Sequence, residues 1–246
     1  MNIEVILTPA ELPTLAQRDL SAAVCAVFDV LRATSTFVTA LHYGAERIIP
    51  VSEISEALAI RKKQPGVLLG GERHGLKIRA DGIEFEFGNS PREYTAEKVH
   101  GKTIVSTTTN GTRALRACAG AKTVLAASLL NLGATAKFIQ GGKFEKLFIV
   151  CAGTFENAAL EDILAAGALC ALLSGRHDSL MDSAKIALHA YRQANSDLNV
   201  QLHTAENARQ LLSIPDLRDD VAFCLRRDVF DLVATLDRVG ALRAIC

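Results

Sequence analysis

Short runs of β-branched and aliphatic residues alternate with longer Ala- and Leu-rich stretches along the first two-thirds of the chain. The short runs predict strands at residues 3–7, 24–30, 47–51, 67–69, 103–106, 123–126 and 147–150. They are apolar almost throughout, the pattern of strands covered on both faces. The stretches between them place apolar residues at helical spacing, as in Leu160, Leu164, Ala168 and Leu172. They predict helices that begin near Thr34, Ile54, Gly111, Leu129 and Ala158. Strands and helices in this alternation imply an α/β fold, three layers α/β/α, with a largely parallel sheet built from βαβ units.

From Arg176 onward the chain becomes helical and more charged. Helices are expected at 182–193, 204–212 and 217–226, and a terminal hairpin at 231–236 and 241–245 around Arg238-Val239-Gly240. This region reads as packing surface, with room for a homo-oligomer contact, rather than as catalytic. No Gly/Ser- or Pro-rich linker interrupts the sequence, so 1–246 reads as one domain with 174–246 as a helical subregion.

One segment echoes another. Val27-Phe28-Asp29-Val30-Leu31-Arg32-Ala33-Thr34-Ser35-Thr36 leads to Gly44-Ala45 and a strand. Ile104-Val105-Ser106-Thr107-Thr108-Thr109-Asn110-Gly111-Thr112 leads to Gly120-Ala121 and a strand. Each copy is strand, hydroxyl-rich turn, helix, Gly-Ala turn, strand. In an open parallel sheet such turns share one edge, beyond the carboxyl ends of the strands.

Composition narrows the function. At 49% apolar over 246 residues the chain can bury a large core. Lys plus Arg and Asp plus Glu are each 27, so no net charge draws it to nucleic acid or to an anionic membrane. The first residues lack the basic and apolar regions of a signal peptide, and no run of about eighteen apolar residues predicts a span. Cys25, Cys118, Cys151, Cys170, Cys224 and Cys246 form no Cys-x-x-Cys pair and read as reduced core thiols, which suits a cytoplasmic enzyme.

Four segments concentrate polar chemistry. In the first, a helix start carrying Thr34, Ser35 and Thr36 offers amide and hydroxyl donors to a phosphate, and Arg32 offers a bidentate clamp. Asp29, at the strand end, suits a metal ligand or a nucleophile. The same residues also read as a capped helix with an internal Arg32–Asp29 pair. In the second, Thr107, Thr108, Thr109, Asn110, Gly111, Thr112 and Arg113 exceed what capping needs and favour an anion site. In the third, Gly70-Gly71-Glu72-Arg73-His74-Gly75 opens the longest stretch without a clear element, continuing to Gly88-Asn89-Ser90-Pro91. In the fourth, Cys151-Ala152-Gly153-Thr154 precedes Glu161-Asp162. Adjacent helical residues point about 100° apart, so one of that pair is expected to face a site. Nucleotide-loop, dinucleotide, zinc-protease and serine-hydrolase motifs are absent, and no second Asp stands two residues after Asp29.

These motifs, in this order, resemble the 2-phosphosulfolactate phosphatases of the ComB family. The resemblance runs from Val24 to about Gly167 and more loosely to Leu236. It implies Mg²⁺-dependent hydrolysis of 2-phospho-3-sulfolactate to 3-sulfolactate and phosphate, a step of coenzyme M biosynthesis. On this reading Asp29, Arg32 and Glu72 are catalytic. Magnesium is held by Asp29, Glu72 and one of Glu161 and Asp162, and the hydroxyl-rich turns with Arg32 and Arg113 bind the substrate. Water attacks phosphorus directly, with Asp29 a metal ligand rather than a phosphoenzyme former. One departure is visible: residues 78–84 look longer than in the family and Glu86 stands at its acidic position, so this loop is expected to shape the non-phosphate end of the substrate. Two other readings remain open: a phosphohydrolase of the same architecture acting on another small acidic ester, and a non-catalytic binder of phosphate or sulfonate metabolites.

Overall fold

The computed structural model describes residues 1–173 and 179–245. The predicted turn to helix at Arg176 and the Cys246 thiol lie outside the described residues. The first strands and helices are β1 (Asn2–Ile6), α1 (Leu12–Ala16), β2 (Ala23–Phe28), α2 (Ala33–His42), β3 (Arg47–Pro50), α3 (Ile54–Lys63) and β4 (Leu68–Arg73). Short strands β5 (Leu76–Lys77), β6 (Arg79–Ala80) and β7 (Ile83–Glu84) follow. Then come α4 (Ala96–Val99), β8 (Thr103–Thr107), α5 (Gly111–Ala117), β9 (Thr123–Ala127), α6 (Leu132–Gly141), β10 (Lys146–Cys151) and α7 (Leu160–Leu173). The C-terminal part holds β11 (Ser179–Leu180), α8 (Asp182–Ala194), α9 (Leu198–His203), α10 (Glu206–Ser213), α11 (Arg218–Cys224), β12 (Val233–Leu236) and β13 (Leu242–Ile245).

Among the described residues the large sheet has eleven strands in the order β11-β1-β10-β2-β9-β12-β13-β3-β8-β4-β5. β11, β1, β10, β2 and β9 form one parallel block, and β3, β8 and β4 form a second. The terminal hairpin predicted from sequence exists, but it is no appendage. β12 pairs antiparallel with β9, and β13 meets β3 through Leu242 and Ile48, so the hairpin joins the two blocks. Ala234 and Leu242 are fully buried there.

Strand β2 shows why the layers form. All six of its residues are buried. Val24, Ala26 and Phe28 feed one core with Ile139 of α6, Leu164 and Leu169 of α7 and Leu188 of α8. Ala23, Cys25 and Val27 feed the other with Leu15 of α1, Phe37 and Leu41 of α2 and Leu115 of α5. Successive side chains point to opposite faces, so a continuous apolar run requires helices on both sides. Each large apolar side chain so buried contributes about 1.5–3 kcal/mol. A smaller third cluster joins Ala57 of α3 to Leu69 and Val105.

Some expectations shift. The face predicted for α7 is only half right, because Leu164 and Ala168 are buried while Leu160 and Leu172 are more than a third exposed. Small residues let α7 pack nearly all round: a side chain on Gly167 would strike the Ala187 carbonyl of α8. The Gly70–Gly71 segment is not loop. It continues β4, pairing Gly70 with Ser106 and Gly71 with Thr107, and carries Glu72 to the strand end. Helix α9 carried no recognisable signal in the sequence. Cys25, Cys118, Cys151, Cys170 and Cys224 are free thiols in the core.

Candidate active site

The two hydroxyl-rich turns meet. A Cβ on Gly111, at the start of α5, would stand 2.6 Å from the Ala33 Cβ at the start of α2 and 2.7 Å from an Asp29 oxygen. Only glycine allows this approach. Asp29 and Glu72 open onto one cleft of about 130 Å³, with Arg32, His74, Asn89, Thr109 and Asn110 on its walls. That volume is below the roughly 300–1,000 Å³ of drug-sized pockets and suits a small metabolite. The Leu31–Arg32 peptide bond at its edge is cis.

Several backbone amides around the cleft hold oxygens of the chain itself. Asp29 Oδ1 accepts from the Ala33 N–H at 2.9 Å, and the Asp29 carbonyl accepts from the Thr34 N–H. Glu72 Oε1 accepts from the Thr109 N–H at 2.8 Å, and its Oε2 from the Gly75 N–H at 2.8 Å. Acids are favoured at helix starts for the same reason phosphates are. The hydroxyls are turned inward as well. Thr34 donates to the Asp29 carbonyl, Ser35 to Val30, Thr36 to Asn89 and Thr107 to Ser52. Thr108 and Thr112 bond each other across the α5 turn. Of the predicted anion-binding residues, Arg32, Thr109 and Asn110 line the cleft, with Gly111 packed behind Asp29. Arg113 points away and pairs with Glu156 at 2.6 Å.

Arg32 does not pair with Asp29, the alternative the sequence left open. Its Nη1 donates to Asp220 Oδ2 at 2.7 Å and its Nη2 to the Gly75 carbonyl at 3.0 Å. Glu161 and Asp162 also part company. Asp162 is tied by both oxygens to backbone N–H groups, Val30 at 2.8 Å and Gly153 at 3.0 Å, and so pins the β2–α2 turn to the segment after β10. Glu161 accepts from Asn207 at 2.6 Å through Oε1, while its Oε2 is buried with no hydrogen-bond partner. Neither acid lines the Asp29–Glu72 cleft. Among the described residues no three His, Cys, Asp or Glu side chains converge as a metal cage.

Burial pushes the Asp29 carboxyl up to about 7; the Ala33 N–H and Arg32 oppose this, and the charges of Glu72 and Glu161 add to it. Burial likewise raises Glu161, and raises Asp162 further with Glu161 and Asp29 beside it. The site is thus a knot of mutually repelling acids.

The far wall corrects the expectation that the C-terminal region only packs. Asn207, Gln210 and Leu211 of α10, with Ile214, line the cleft, and Asp220 of α11 holds Arg32. Nothing local marks them: α10 and α11 read as ordinary amphipathic helices. Thr154 and Phe155 complete the rim. Glu86, expected near the substrate, instead bonds Arg61 and the Leu69 N–H, and residues 78–84 stay out of the cleft.

An acid-lined cleft of metabolite size thus stands at the strand ends of this α/β fold, where open sheets bind small molecules. Comparison with known proteins makes the class specific. The family described as 2-phosphosulpholactate phosphatase matches residues 6–238. A protein of Caldanaerobacter subterraneus named "probable 2-phosphosulfolactate phosphatase" is 40% identical over 91% of this chain and 91% of its own length. One of Thermotoga petrophila with the same name is 39% identical over 95% of each chain, and one of Clostridium novyi is 33% identical over 95% of this chain and 96% of its own. The chain belongs to the 2-phosphosulpholactate phosphatase family, and as such is a phosphoric monoester hydrolase. Among the described residues no helix is long and apolar enough to cross a membrane.

Proposed function

We propose that this cleft hydrolyses 2-phospho-3-sulfolactate to 3-sulfolactate and phosphate with the help of Mg²⁺. The substrate follows the names of the relatives, and a place in coenzyme M biosynthesis follows from the same resemblance. One observation supports the need for a cation: Asp29 and Glu72 both face the cleft and are held there by the N–H groups of Ala33, Thr109 and Gly75, so an entering phosphate meets two carboxylates. A substrate carrying phosphate, sulfonate and carboxylate is repelled there unless a positive charge intervenes.

The donor set fits magnesium. Mg²⁺ binds through one or two carboxylates and leaves its other positions to water and substrate phosphate, so it does not need a three-residue cage. Asp29 and Glu72, both facing the cleft, would hold it, with Glu161 adding negative charge from behind. When bound, the ion supplies Lewis-acid neutralisation of charge at the phosphoryl group. Arg32 clamps an anionic oxygen with the N–H groups it does not use on Asp220 and Gly75. Thr109 and Asn110 close one side and Gln210 stands at the other end of the ester, while the Asn207 amide nitrogen donates to Thr154 and Glu161. Water attacks phosphorus directly, and Asp29 stays unphosphorylated.

The test is phosphate release from a panel of small phosphate esters that includes 2-phospho-3-sulfolactate, with chelated protein before and after Mg²⁺ is restored. Release that depends on the metal and is fastest with the sulfonated ester is expected. Full turnover in chelator would remove the metal from the mechanism, and preference for another ester would reassign the substrate.

A further inference from the structure

We propose that Asp220 is a positioning residue for catalysis, holding the Arg32 guanidinium at the angle from which it meets the substrate's anionic oxygens. This rests on the reading of Arg32 as the anion clamp. Among the described residues that line the cleft, Arg32 is the one permanent cation. Its guanidinium is planar and carries five N–H bonds in a fixed fork. Asp220 anchors Nη1 at 2.7 Å and the Gly75 carbonyl anchors Nη2 at 3.0 Å, which fixes the plane and leaves the remaining N–H bonds free for a ligand.

Asp220 is itself held from behind. Its Oδ1 accepts from Ser90 Oγ at 2.6 Å and lies 3.7 Å from Arg92 Nη1, and its side chain is fully buried. Ser90 follows Asn89, which lines the same cleft and accepts from Thr36 of α2 through its carbonyl. The chain of contacts therefore runs from α11 through the loop before α4 to the start of α2. A buried ion pair is weak evidence for stability, since two apolar side chains of similar volume often do as well. Here the pair stands in the wall of the reaction cleft, where the orientation of a guanidinium matters: a displacement of about 1 Å at a reacting group can reduce rate about 100-fold.

The test is a double-mutant cycle on kcat/KM, using whichever phosphate ester the enzyme hydrolyses fastest, with circular dichroism to confirm folding. Asp220→Ala is expected to lower kcat/KM about 10- to 100-fold, and to lower it less than about 3-fold further in an Arg32→Gln background, because groups that act through one another are not additive. Asp220→Asn and Ser90→Ala serve the same cycle if Asp220→Ala does not fold; both are expected to lose less activity than Asp220→Ala, and again only when Arg32 is present. An equal loss in both backgrounds overturns the positioning role while leaving Arg32 as the clamp. Wild-type kcat/KM in Arg32→Gln itself overturns the reading of Arg32, and the proposal with it.

Discussion

The knot of acids makes Asp29→Asn the most informative single change. Asp29 is 8% exposed, and its carboxyl is raised from 3.8 to about 7, chiefly by burial. Below about pH 4 the carboxyl is protonated in the folded and unfolded chain alike. Between about 4 and 7 the fold keeps a proton that the unfolded chain has released, so stability falls as pH rises through that window. Above about 7 the full penalty is present, on the order of 4 kcal/mol at about 1.4 kcal/mol per pH unit. Asparagine keeps an oxygen for the Ala33 N–H at 2.9 Å and cannot ionise. In metal-free buffer at pH 8 the variant should therefore melt higher than the wild type by about 8–16 °C, at about 2–4 °C per kcal/mol for a chain of this size. At pH 4 the two melting curves should converge. Thermal unfolding followed by circular dichroism from pH 4 to 8 measures this. Added Mg²⁺ at pH 8 should raise the wild-type Tm and leave the variant unmoved, and the variant should be inactive. An Asp29→Asn protein that melts at or below the wild-type temperature at pH 8 would refute the idea that burial strains this carboxylate.

Arg32→Lys keeps the charge but cannot serve Asp220, Gly75 and a ligand from one planar group, so kcat/KM should fall about 10- to 1,000-fold; near-normal kinetics would make Arg32 structural. Gly111→Ala drives a methyl group between the two helix starts, which should lower kcat/KM about 10- to 100-fold at a stability cost of about 1–3 kcal/mol; a wild-type rate would show that the turns can separate freely. Asp237 ties the β12–β13 turn by accepting from Val239, Ala241 and Arg243. Burial opposes ionisation there, but the Ala241 N–H, Arg243 and the Val239 N–H hold its carboxyl below the usual value. Asp237→Ala should cost about 1–2 kcal/mol at pH 7, and its melting curve should rejoin the wild type as pH falls below about 4, where the depressed carboxyl of Asp237 takes up its proton; a gap that persists in acid would show that packing, not charge, is lost.

Much of the scaffold was legible in the sequence because its signals are local. A strand buried on both faces must be apolar along its whole length, and 24–28 and 147–150 are, so β2 and β10 could be placed before their neighbours were known. The hydroxyls of the two turns were visible for the same reason. What those groups hold was not visible: turn and helix-start amides attract any anion, and the sequence does not say whether a substrate or a nearby carboxylate meets them. Asp29 lies four residues from the Ala33 N–H it accepts, but Glu72 reaches the Thr109 N–H from a distant strand.

The tertiary structure decided whatever depends on residues far apart in the chain. Asp220 meets Arg32 across nearly the whole sequence, and Asn207 reaches Glu161 from a helix that shows only an amphipathic pattern. The hairpin β12–β13 could be recognised as a hairpin from its Gly240 turn and its alternation, but its insertion between β9 and β3 rests on pairings that no local signal carries. Glu161 and Asp162 are neighbours on one helix, and their types alone made either a candidate ligand. Which one faces Asn207 and which one binds two backbone amides follows from the direction each side chain takes, about 100° apart, once α7 is packed. Periodicity and turn chemistry thus determined the elements and picked out several of the side chains that line the cleft of this phosphatase, Asp29, Arg32 and Glu72 among them. The closing of the cleft by its C-terminal helices was settled only in three dimensions, because a buried ion pair is specified by the meeting of two surfaces and leaves no pattern in either one.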